Sequence, residues 1–479
     1  KFWRYLSDER DSISQIKYSE QVIREPEQIA NEMNQFFQSV FTKHATNAVL
    51  PPYVVKVPME ELIVSEEGIL AFLLKLDLKK FIGPDKIINS FLCRYAQWTY
   101  KYLFKIYTFS LHTSELPDDW CNATVVPIHK SGSKLEISNY RPVSLTSSCC
   151  KIFEHIIFKA IITRLETNEL LYKHQHGFRS GLSTRTQLAK LTHNIANAIN
   201  ENSQVDAVFL EFPKAFDVVP HKNSITKVSA FGIDDKIVAW INSFLIKRKQ
   251  RVTIDNHLSQ PLDVYSGVPQ GSVLASLLFL MFINDIQFSV NNPVRMRLFA
   301  DCVVYTLVYN SNDQVELNNS LQMIYSWCNA WGTKLNKTKT HFISFTNKTN
   351  PHNFTYTIGN ITIDKSDQVK YLGVTFSLNL NGEQHVSAIC RKAERKLSFL
   401  RRKLCTAPSH LKLNEYKTLT IPCLEYVDLI WSPHQKHLIN KIKRVQKSAV
   451  RFVYSDFSRQ SSSAGLLTRA NLKPLCNAE

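Results

Sequence analysis

Residues 296–305 read Met-Arg-Leu-Phe-Ala-Asp-Cys-Val-Val-Tyr, which sets one carboxylate, Asp301, between two short apolar runs. The pattern predicts a β-hairpin whose turn lifts an acid out of a sheet. Residues 205–212 (Val-Asp-Ala-Val-Phe-Leu-Glu-Phe) make a second strand-like run, with Glu211 near its end. Between the two, residues 266–272 (Ser-Gly-Val-Pro-Gln-Gly-Ser) are rich in turn formers and open onto an apolar helix. Two acids on separate strands and a glycine-flanked loop are what a two-metal phosphoryl-transfer site requires.

The elements around these residues follow from periodicity. After the 205–212 strand, helices are expected near 222–230 and over 235–246, a strand at 251–255 and a helix at 272–286. The 294–308 hairpin, a helix at 313–330 and two or three further strands complete this mixed segment. Residues 1–110 read as mainly helical, with an apolar stripe at Ile29, Met33, Phe36, Phe37, Val40 and Phe41 and a second helical stretch at 67–78. A loop with Pro51, Pro52 and Pro58 separates these two. Residues 139–145 should be extended, because Pro142 pushes Arg141 towards β or polyproline geometry. Helical patterning resumes over 151–169 and from about 184 to 200. Two strongly basic helices close the chain, 384–405 and 436–454. The second carries its apolar stripe at Leu438, Ile442, Val445, Ala449 and Phe452.

Composition narrows the class. An apolar fraction of 44% over 479 residues supports a large core and excludes disorder as the main state. Lysine and arginine total 58 against 41 acids, a net charge of +17. That excess favours a polyanionic partner, nucleic acid first and an anionic membrane surface second. Ten cysteines are scattered with no C-x-x-C pair, so neither a zinc framework nor a secreted disulfide pattern emerges. Reduced thiols and an intracellular location, nucleus or cytoplasm, fit this usage. The longest apolar run, 277–283, is far short of the roughly 20 residues of a membrane helix. The opening Lys-Phe-Trp-Arg has no initiator Met and no signal-peptide pattern, so a fragment of a longer reading frame is expected.

Taken together, the motifs resemble the reverse transcriptase of jockey-like non-LTR (LINE-type) retrotransposons. The resemblance rests on Lys130 with Asn-Tyr-Arg-Pro-Val-Ser-Leu at 139–145, His-Gly-Phe-Arg at 176–179 and Phe-Pro-Lys-Ala-Phe-Asp at 212–217. It continues through Ser-Gly-Val-Pro-Gln-Gly-Ser-Val-Leu at 266–274, Phe-Ala-Asp at 299–301, Asn-Lys-Thr-Lys-Thr at 336–340 and Tyr-Leu-Gly-Val at 371–374. It implies an α+β right-hand polymerase, with an antiparallel palm sheet backed by helices and a helical thumb. Residues 1–110 would be a helical extension, the remnant of an endonuclease–polymerase linker. Residues 111–200 would be fingers, 201–375 palm and 376–479 thumb and C-terminal extension. The implied function is RNA-directed DNA polymerisation with Mg²⁺, an RNA template, a DNA primer or target and deoxynucleoside triphosphates. No membrane partner is implied, and the oligomeric state stays open. No nuclease block, zinc knuckle or RNase H acid cluster is expected in this chain.

The same resemblance distributes roles. Glu211 and Asp301 would hold the metal ions, and Lys339 would protonate or neutralise departing pyrophosphate. The family, however, places Asp at 211 and a second Asp at 302. Here Glu211 is one methylene longer, and Cys302 is a soft ligand poorly matched to Mg²⁺. These departures predict an impaired copy; the alternative is a catalytically dead, nucleic-acid-binding relic. Lys130 and Arg141 would meet the triphosphate as point charge and bidentate fork. Phe216 would lie beneath the sugar and reject a 2′-hydroxyl, while Gly267, Gln270 and Gly271 would approach the nucleotide and template. Ala275-Ser276 stands where the family usually has Gly-Pro. Tyr371, Leu372 and Gly373 would grip the primer end, or equally form a plain edge strand. The first basic helix (His385, Arg391, Lys392, Arg395, Lys396, Arg401, Arg402, Lys403) and the run Lys247-Arg248-Lys249-Gln250-Arg251 would track phosphates. Plainer readings are a core ring for Phe216, a solvated loop residue for Lys339 and solvated charged faces for the basic helices.

Overall fold

The computed structural model describes residues 13–18, 21–42, 51, 55, 57–79, 82–458 and 460–475. The Phe2-Trp3 opening and Pro52 lie outside the described residues. The chain sorts into two units that interleave in sequence. The first takes residues up to Phe178, Phe212–Ser289 and Met323–Leu335; the second takes Arg179–Glu211, Val290–Gln322 and Asn336 onward.

The longer elements, in chain order, begin with helices α1 (Pro26–Ser39), α2 (Glu66–Leu74), α3 (Asn89–Arg94) and α4 (Ala96–Thr113). Strands β1 (Asn122–His129) and β2 (Tyr140–Leu145) lead to α5 (Ser148–Thr167) and α6 (Thr184–Asn200). Next come β3 (Gln204–Leu210), α7 (His221–Ala230), α8 (Asp235–Ile246), β4 (Lys249–Ile254) and α9 (Leu274–Ile283). The hairpin β5 (Arg295–Phe299) and β6 (Asp301–Val308) is followed by α10 (Ser311–Trp331), β7 (His341–Phe345) and β8 (Asp364–Lys365). A second hairpin, β9 (Gln368–Tyr371) and β10 (Val374–Ser377), precedes α11 (Glu383–Lys403) and α12 (Lys436–Tyr454).

In the second unit the sheet order is β8-β7-β3-β6-β5. It is antiparallel from β7 to β5, and only the short β8 pairs in parallel with β7. Because side chains alternate with period two, Val205, Ala207 and Phe209 share one face with Val303 and Tyr305 of β6 and Ile343 and Phe345 of β7. That face packs on Leu188, Leu191 and Ile195 of α6, Val386 and Cys390 of α11, and Leu438, Ile442 and Val445 of α12. Every residue of β3 is buried, which explains its near-continuous apolar run. Its one charge, Asp206, is fully occupied: Gln204 Nε2 and Gln314 Nε2 donate to it at 2.8 Å and the Tyr356 hydroxyl at 2.6 Å. A buried carboxylate supplied with three donors escapes the cost of an unpaired charge.

The first unit holds a second sheet in which β1 lies between β2 and β4, antiparallel to the former and parallel to the latter. Helices α4, α5, α8 and α9 surround its main core. Helix α9 is apolar all round and buried, save for Ser276, which is half-buried. Two buried charges organise this unit. Lys227 of α7 donates to Asp285 Oδ1 at 2.6 Å and to the Phe282 carbonyl at 2.7 Å. Its ammonium also sits 3.7 Å from the Trp331 ring centroid and 4.4 Å from those of Phe282 and Trp327. Burial lowers the Lys227 pKa, and the Asp285 charge works against that shift.

Glu154, fully buried on α5, reaches the start of α9. It accepts from the backbone N–H of Val273 at 2.7 Å and of Leu274 at 3.2 Å, and from the Ser272 hydroxyl. A carboxylate at a helix N-terminus satisfies orphan donors and complements the helix dipole. Glu154→Ala leaves those donors buried and unpaired, so thermal or urea unfolding should show a loss of about 3 kcal/mol. A loss under about 0.5 kcal/mol, the range of surface substitutions, would remove this role.

Candidate active site

The acids of the second unit are placed by strand register. Cys302 pairs with Leu210 as the last pair of the ladder, and Asp301 and Glu211 are the residues that adjoin that pair at its open end. On the other side of β3, His341 pairs with Phe209, and Lys339 ends the short 3-10 turn Lys337–Lys339 that leads into β7. Asp301, Glu211 and Lys339 thus lie at neighbouring ends of three chain segments. The contact between the last two is direct: Lys339 Nζ lies 2.7 Å from Glu211 Oε1, with 53% and 34% of the two side chains exposed. The backbone also ties this segment down, since the Asn336 N–H donates to the Glu211 carbonyl at 2.9 Å. Asp301, half-buried, follows a one-residue turn in which Ala300 adopts φ +62°. A non-glycine residue with φ in this range is uncommon and marks a tightly specified turn.

Cys302 points the other way. It is fully buried, and alternation puts it on the face of Leu210 and Val304, opposite to Asp301. The donor set does not fit two Mg²⁺ ions, which need several hard oxygens at roughly 2.0–2.1 Å each. Two carboxylates stand at these segment ends, one of them already held by a lysine, and the third position is a thiol inside the sheet. Among the described residues, no group of three or more His, Cys, Asp or Glu side chains could hold a metal ion.

Tyr371 lies in the core of this unit, 4% exposed, with its ring 5.2 Å from Phe209. Gln187 Nε2 donates to its hydroxyl at 3.2 Å, and burial pushes the phenol well up. Leu372 and Gly373 form the two-residue turn of the β9–β10 hairpin with φ +45° and +86°. Two successive positive φ values match the twist of a tight hairpin. A Cβ on Gly373 would lie 3.0 Å from the Tyr426 ring, whose hydroxyl donates to the Leu372 carbonyl at 2.9 Å. On α11, Arg391, Lys392, Arg395, Arg402 and Lys403 are exposed. Arg401 is half-buried and bonds Ser448 through both its carbonyl (3.1 Å) and hydroxyl (2.6 Å). His385, read from sequence as part of the basic face, is buried instead. It accepts from the Thr375 N–H at 3.2 Å through Nδ1, and burial lowers its pKa to about 4, so it carries no charge at neutral pH.

The first unit presents the glycine loop. Gly267 adopts φ +85°, and an added Cβ would meet the Phe216 carbonyl at 2.6 Å; at Gly271 it would meet the Ser144 carbonyl at 2.3 Å. Neither position tolerates a side chain. The loop is pinned by N–H donation from Gly267 to the Val219 carbonyl and from Val268 to the Phe216 carbonyl, both 2.7 Å. Gln270 donates to Asp217 Oδ1 at 2.8 Å, and Ser144 N–H donates to the Gln270 carbonyl at 2.6 Å. Phe41, Pro142, Phe216, Asp217 and the loop line one cleft. Phe216 is half-buried, stacked on Phe279 at 4.8 Å and edge-on to Phe178 at 5.8 Å. Lys130 and Arg141 are both exposed. Arg141 pairs with Ile128, two residues from Lys130, so both cations belong to one face of the β1–β2 hairpin. Arg248, counted from sequence as a surface cation, is 2% exposed: it donates to the Trp120 carbonyl at 3.3 Å and stacks over Phe244.

Two residues of this loop region lie outside the set that the sequence motifs indicate. Burial raises Asp217 to about 6, against the lowering pull of Gln270, Lys214 and Arg141. His221 Nε2 donates to the Gly267 carbonyl at 2.9 Å, and burial with nearby Arg248 lowers its pKa to about 4. Asp217 closes the Phe-Pro-Lys-Ala-Phe-Asp motif, which was the available signal; for His221 the sequence carries none.

The fold class is α+β, that of right-hand polymerases. Residues 128–376 match the family described as reverse transcriptase (RNA-dependent DNA polymerase). The chain is 30% identical over 416 residues to the probable RNA-directed DNA polymerase from transposon BS of Drosophila melanogaster, covering 84% of this chain and 46% of that protein. It is 26% identical over 442 residues to the RNA-directed DNA polymerase from mobile element jockey of the same species, covering 89% and 46%. A retrovirus-related Pol polyprotein from type-1 retrotransposable element R2 of Popillia japonica is 23% identical over 318 residues, 60% of this chain and 43% of that one. Among solved structures, a truncated apo telomerase from Candida tropicalis gives a TM-score of 0.40 at 10% identity, over 58% of this chain and 59% of that one. The chain belongs to the reverse transcriptase family and is of the jockey-like, non-LTR kind. It spans about half the length of the curated relatives it matches.

The pKa shifts of His221 and Asp217 act on stability with opposite signs. The folded state binds fewer protons than the unfolded state at His221 between about pH 6.5 and 4, so that stabilisation is complete above 6.5 and lost towards 4. Asp217 opposes it, because its raised pKa makes the folded state bind more protons between 3.8 and about 6. The difference between proteins isolates the histidine: His221→Gln should keep more of its pH 7 melting temperature at pH 4.5 than the wild type does. An equal or larger drop in the variant would contradict the assignment. Lys339→Ala, by contrast, removes an exposed ion pair and should change stability by no more than about 1 kcal/mol.

Proposed function

We propose that this chain is the RNA-directed DNA polymerase part of a non-LTR retrotransposon in which nucleotidyl transfer is impaired at Glu211 and Cys302. The observation that carries this reading is the Lys339–Glu211 ion pair: the carboxylate that should serve the reaction is engaged by a lysine. In the reaction, the primer 3′-hydroxyl oxygen bonds to the α-phosphorus of a deoxynucleoside triphosphate while the bond to pyrophosphate breaks. Lys130 and Arg141 carry the charge and the paired donors suited to a triphosphate. Phe216 excludes a 2′-hydroxyl, Gln270 lies beside the base pair, and Lys339 serves the departing pyrophosphate once released from Glu211. Leu372 and Gly373 contact the primer end with backbone, since the Tyr371 ring is in the core. Arg391, Lys392 and Arg402 meet template–primer phosphates, and the protein works inside the cell on an RNA template. In this assignment residues 111–200 are fingers, 201–375 palm and 376–479 thumb with its extension.

A second reading, a relic that binds nucleic acid without extending primers, is favoured by the burial of Cys302. Extension of a DNA primer on an RNA template, in Mg²⁺ or Mn²⁺, separates the two. A carboxylate misplaced by ~1 Å can cost about 10²-fold in rate, so Glu211→Asp should extend primers about 10²-fold faster than wild type. Equal rates would remove Glu211 as the lesion. Primer–template binding with no extension by Glu211→Asp, or by Glu211→Asp/Cys302→Asp with its melting temperature retained, would establish the relic.

A further inference from the structure

The outer face of α3 and α4 carries a feature the catalytic reading does not use. Phe91, Tyr95, Trp98, Tyr102, Ile106 and Phe109 recur every three or four residues and are all exposed, Trp98 by 59% and Phe109 by 61%. At about 100° per residue, those from Tyr95 onward fall on one stripe of the helix, and Phe91 continues it one turn earlier. The buried face of α4, with Ala96, Thr99, Leu103, Tyr107 and Ser110, adjoins this stripe, its centre turned about 100° round the helix. The stripe is therefore not core periodicity; the helix has a second apolar face and it meets solvent.

The rings are arranged as pairs. Phe91 and Tyr95 lie with centroids 5.0 Å apart, and Trp98 and Tyr102 with centroids 4.6 Å apart. Arg94, Lys101 and Lys105, all exposed, occupy a parallel row beside the stripe at spacings of seven and four residues. From 86 to 114 there is no Asp or Glu at all, against Lys86, Arg94, Lys101 and Lys105. A row of cations with no acid to balance it selects a polyanion. Aromatic faces at one-turn intervals beside such a row are the two parts of a single-strand binding surface, stacking for bases and charge for the backbone.

We propose that the α3–α4 face binds single-stranded nucleic acid, its bases stacking on Tyr95, Trp98, Tyr102 and Phe109 and its phosphates meeting Arg94, Lys101 and Lys105. From Tyr95 to Phe109 the helix rises about 21 Å at ~1.5 Å per residue, room for a short run of nucleotides. The proposal shares with the proposed function only the nucleic-acid partner. A duplex offers no free base faces, so this surface discriminates for unpaired strands.

The test uses the full chain with a fluorescein-labelled oligo(U) 20-mer and, separately, a blunt RNA–DNA duplex, both read by anisotropy at two salt concentrations. Trp98→Ala/Tyr102→Ala should weaken oligo(U) binding about tenfold or more and leave duplex binding within about twofold. Lys101→Glu/Lys105→Glu should flatten the salt dependence of oligo(U) binding by ~0.7 in log–log slope for each phosphate the variant no longer neutralises. Unchanged oligo(U) affinity in either variant overturns the proposal. So does self-association in sedimentation velocity that the aromatic variant abolishes while oligo(U) binding persists, because the face would then join two copies of the chain. Wild-type protein that binds oligo(U) but not the duplex would count against the polymerase reading and leave this one standing.

Discussion

The register of three chain segments is the constraint on which the carboxylate site depends. Pairing of β6 with β3, and of β3 with β7, runs to Cys302–Leu210 and His341–Phe209, and Asp301, Glu211 and Lys339 lie at or just beyond these last pairs. A slip of one residue would turn every side chain of a strand to the other face of the sheet. What prevents the slip is burial on both faces of β3. One face is committed to the apolar core with α6, α11 and α12. On the other, Asp206 finds its three donors on Gln204, Gln314 and Tyr356. A buried carboxylate satisfied in one arrangement and stranded in others specifies that arrangement.

Where the resemblance to the family implies two aspartates, this chain carries Glu211 and Cys302. The Glu211 carboxylate meets Lys339, and the pair is an ordinary, partly exposed one of little energetic weight. A carboxylate engaged by an ammonium is less available to a metal cation. Cys302, whose thiol is a soft donor, is turned into the sheet. In the other unit the glycine loop is intact by contrast, with both glycines pressed on backbone where no side chain fits.

Strongly periodic elements were legible with few errors: α6, α8 and α12 occupy the residues their apolar spacing indicates. The β5–β6 hairpin and the extended segment at β2 were also readable, the second from a single proline. Strand β1 was not, because Pro127 and a short alternating pattern hide a strand whose partners are β2 and the distant β4. Charges misled in the same way each time. Arg248 and His385 looked like members of basic surface runs, yet both are buried against partners that sequence does not reveal. Tyr371 illustrates the limit for motifs, its ring belonging to the core while the turn after it is what faces outward. Glu154 and His221 act on the backbone of segments 46 to 120 residues away, a relation only the folded chain discloses.

We propose that Glu211, held by Lys339, is one methylene too long to serve a metal ion. Titration of Mn²⁺ into the wild-type chain and the Glu211→Asp variant, followed by the loss of free-ion electron paramagnetic resonance signal, tests it without any reliance on turnover. Weak binding by the wild type and binding at least tenfold tighter in the variant is the expected result. Equal affinity in the two proteins would show that the lysine contact withholds nothing and that Glu211 is not the lesion.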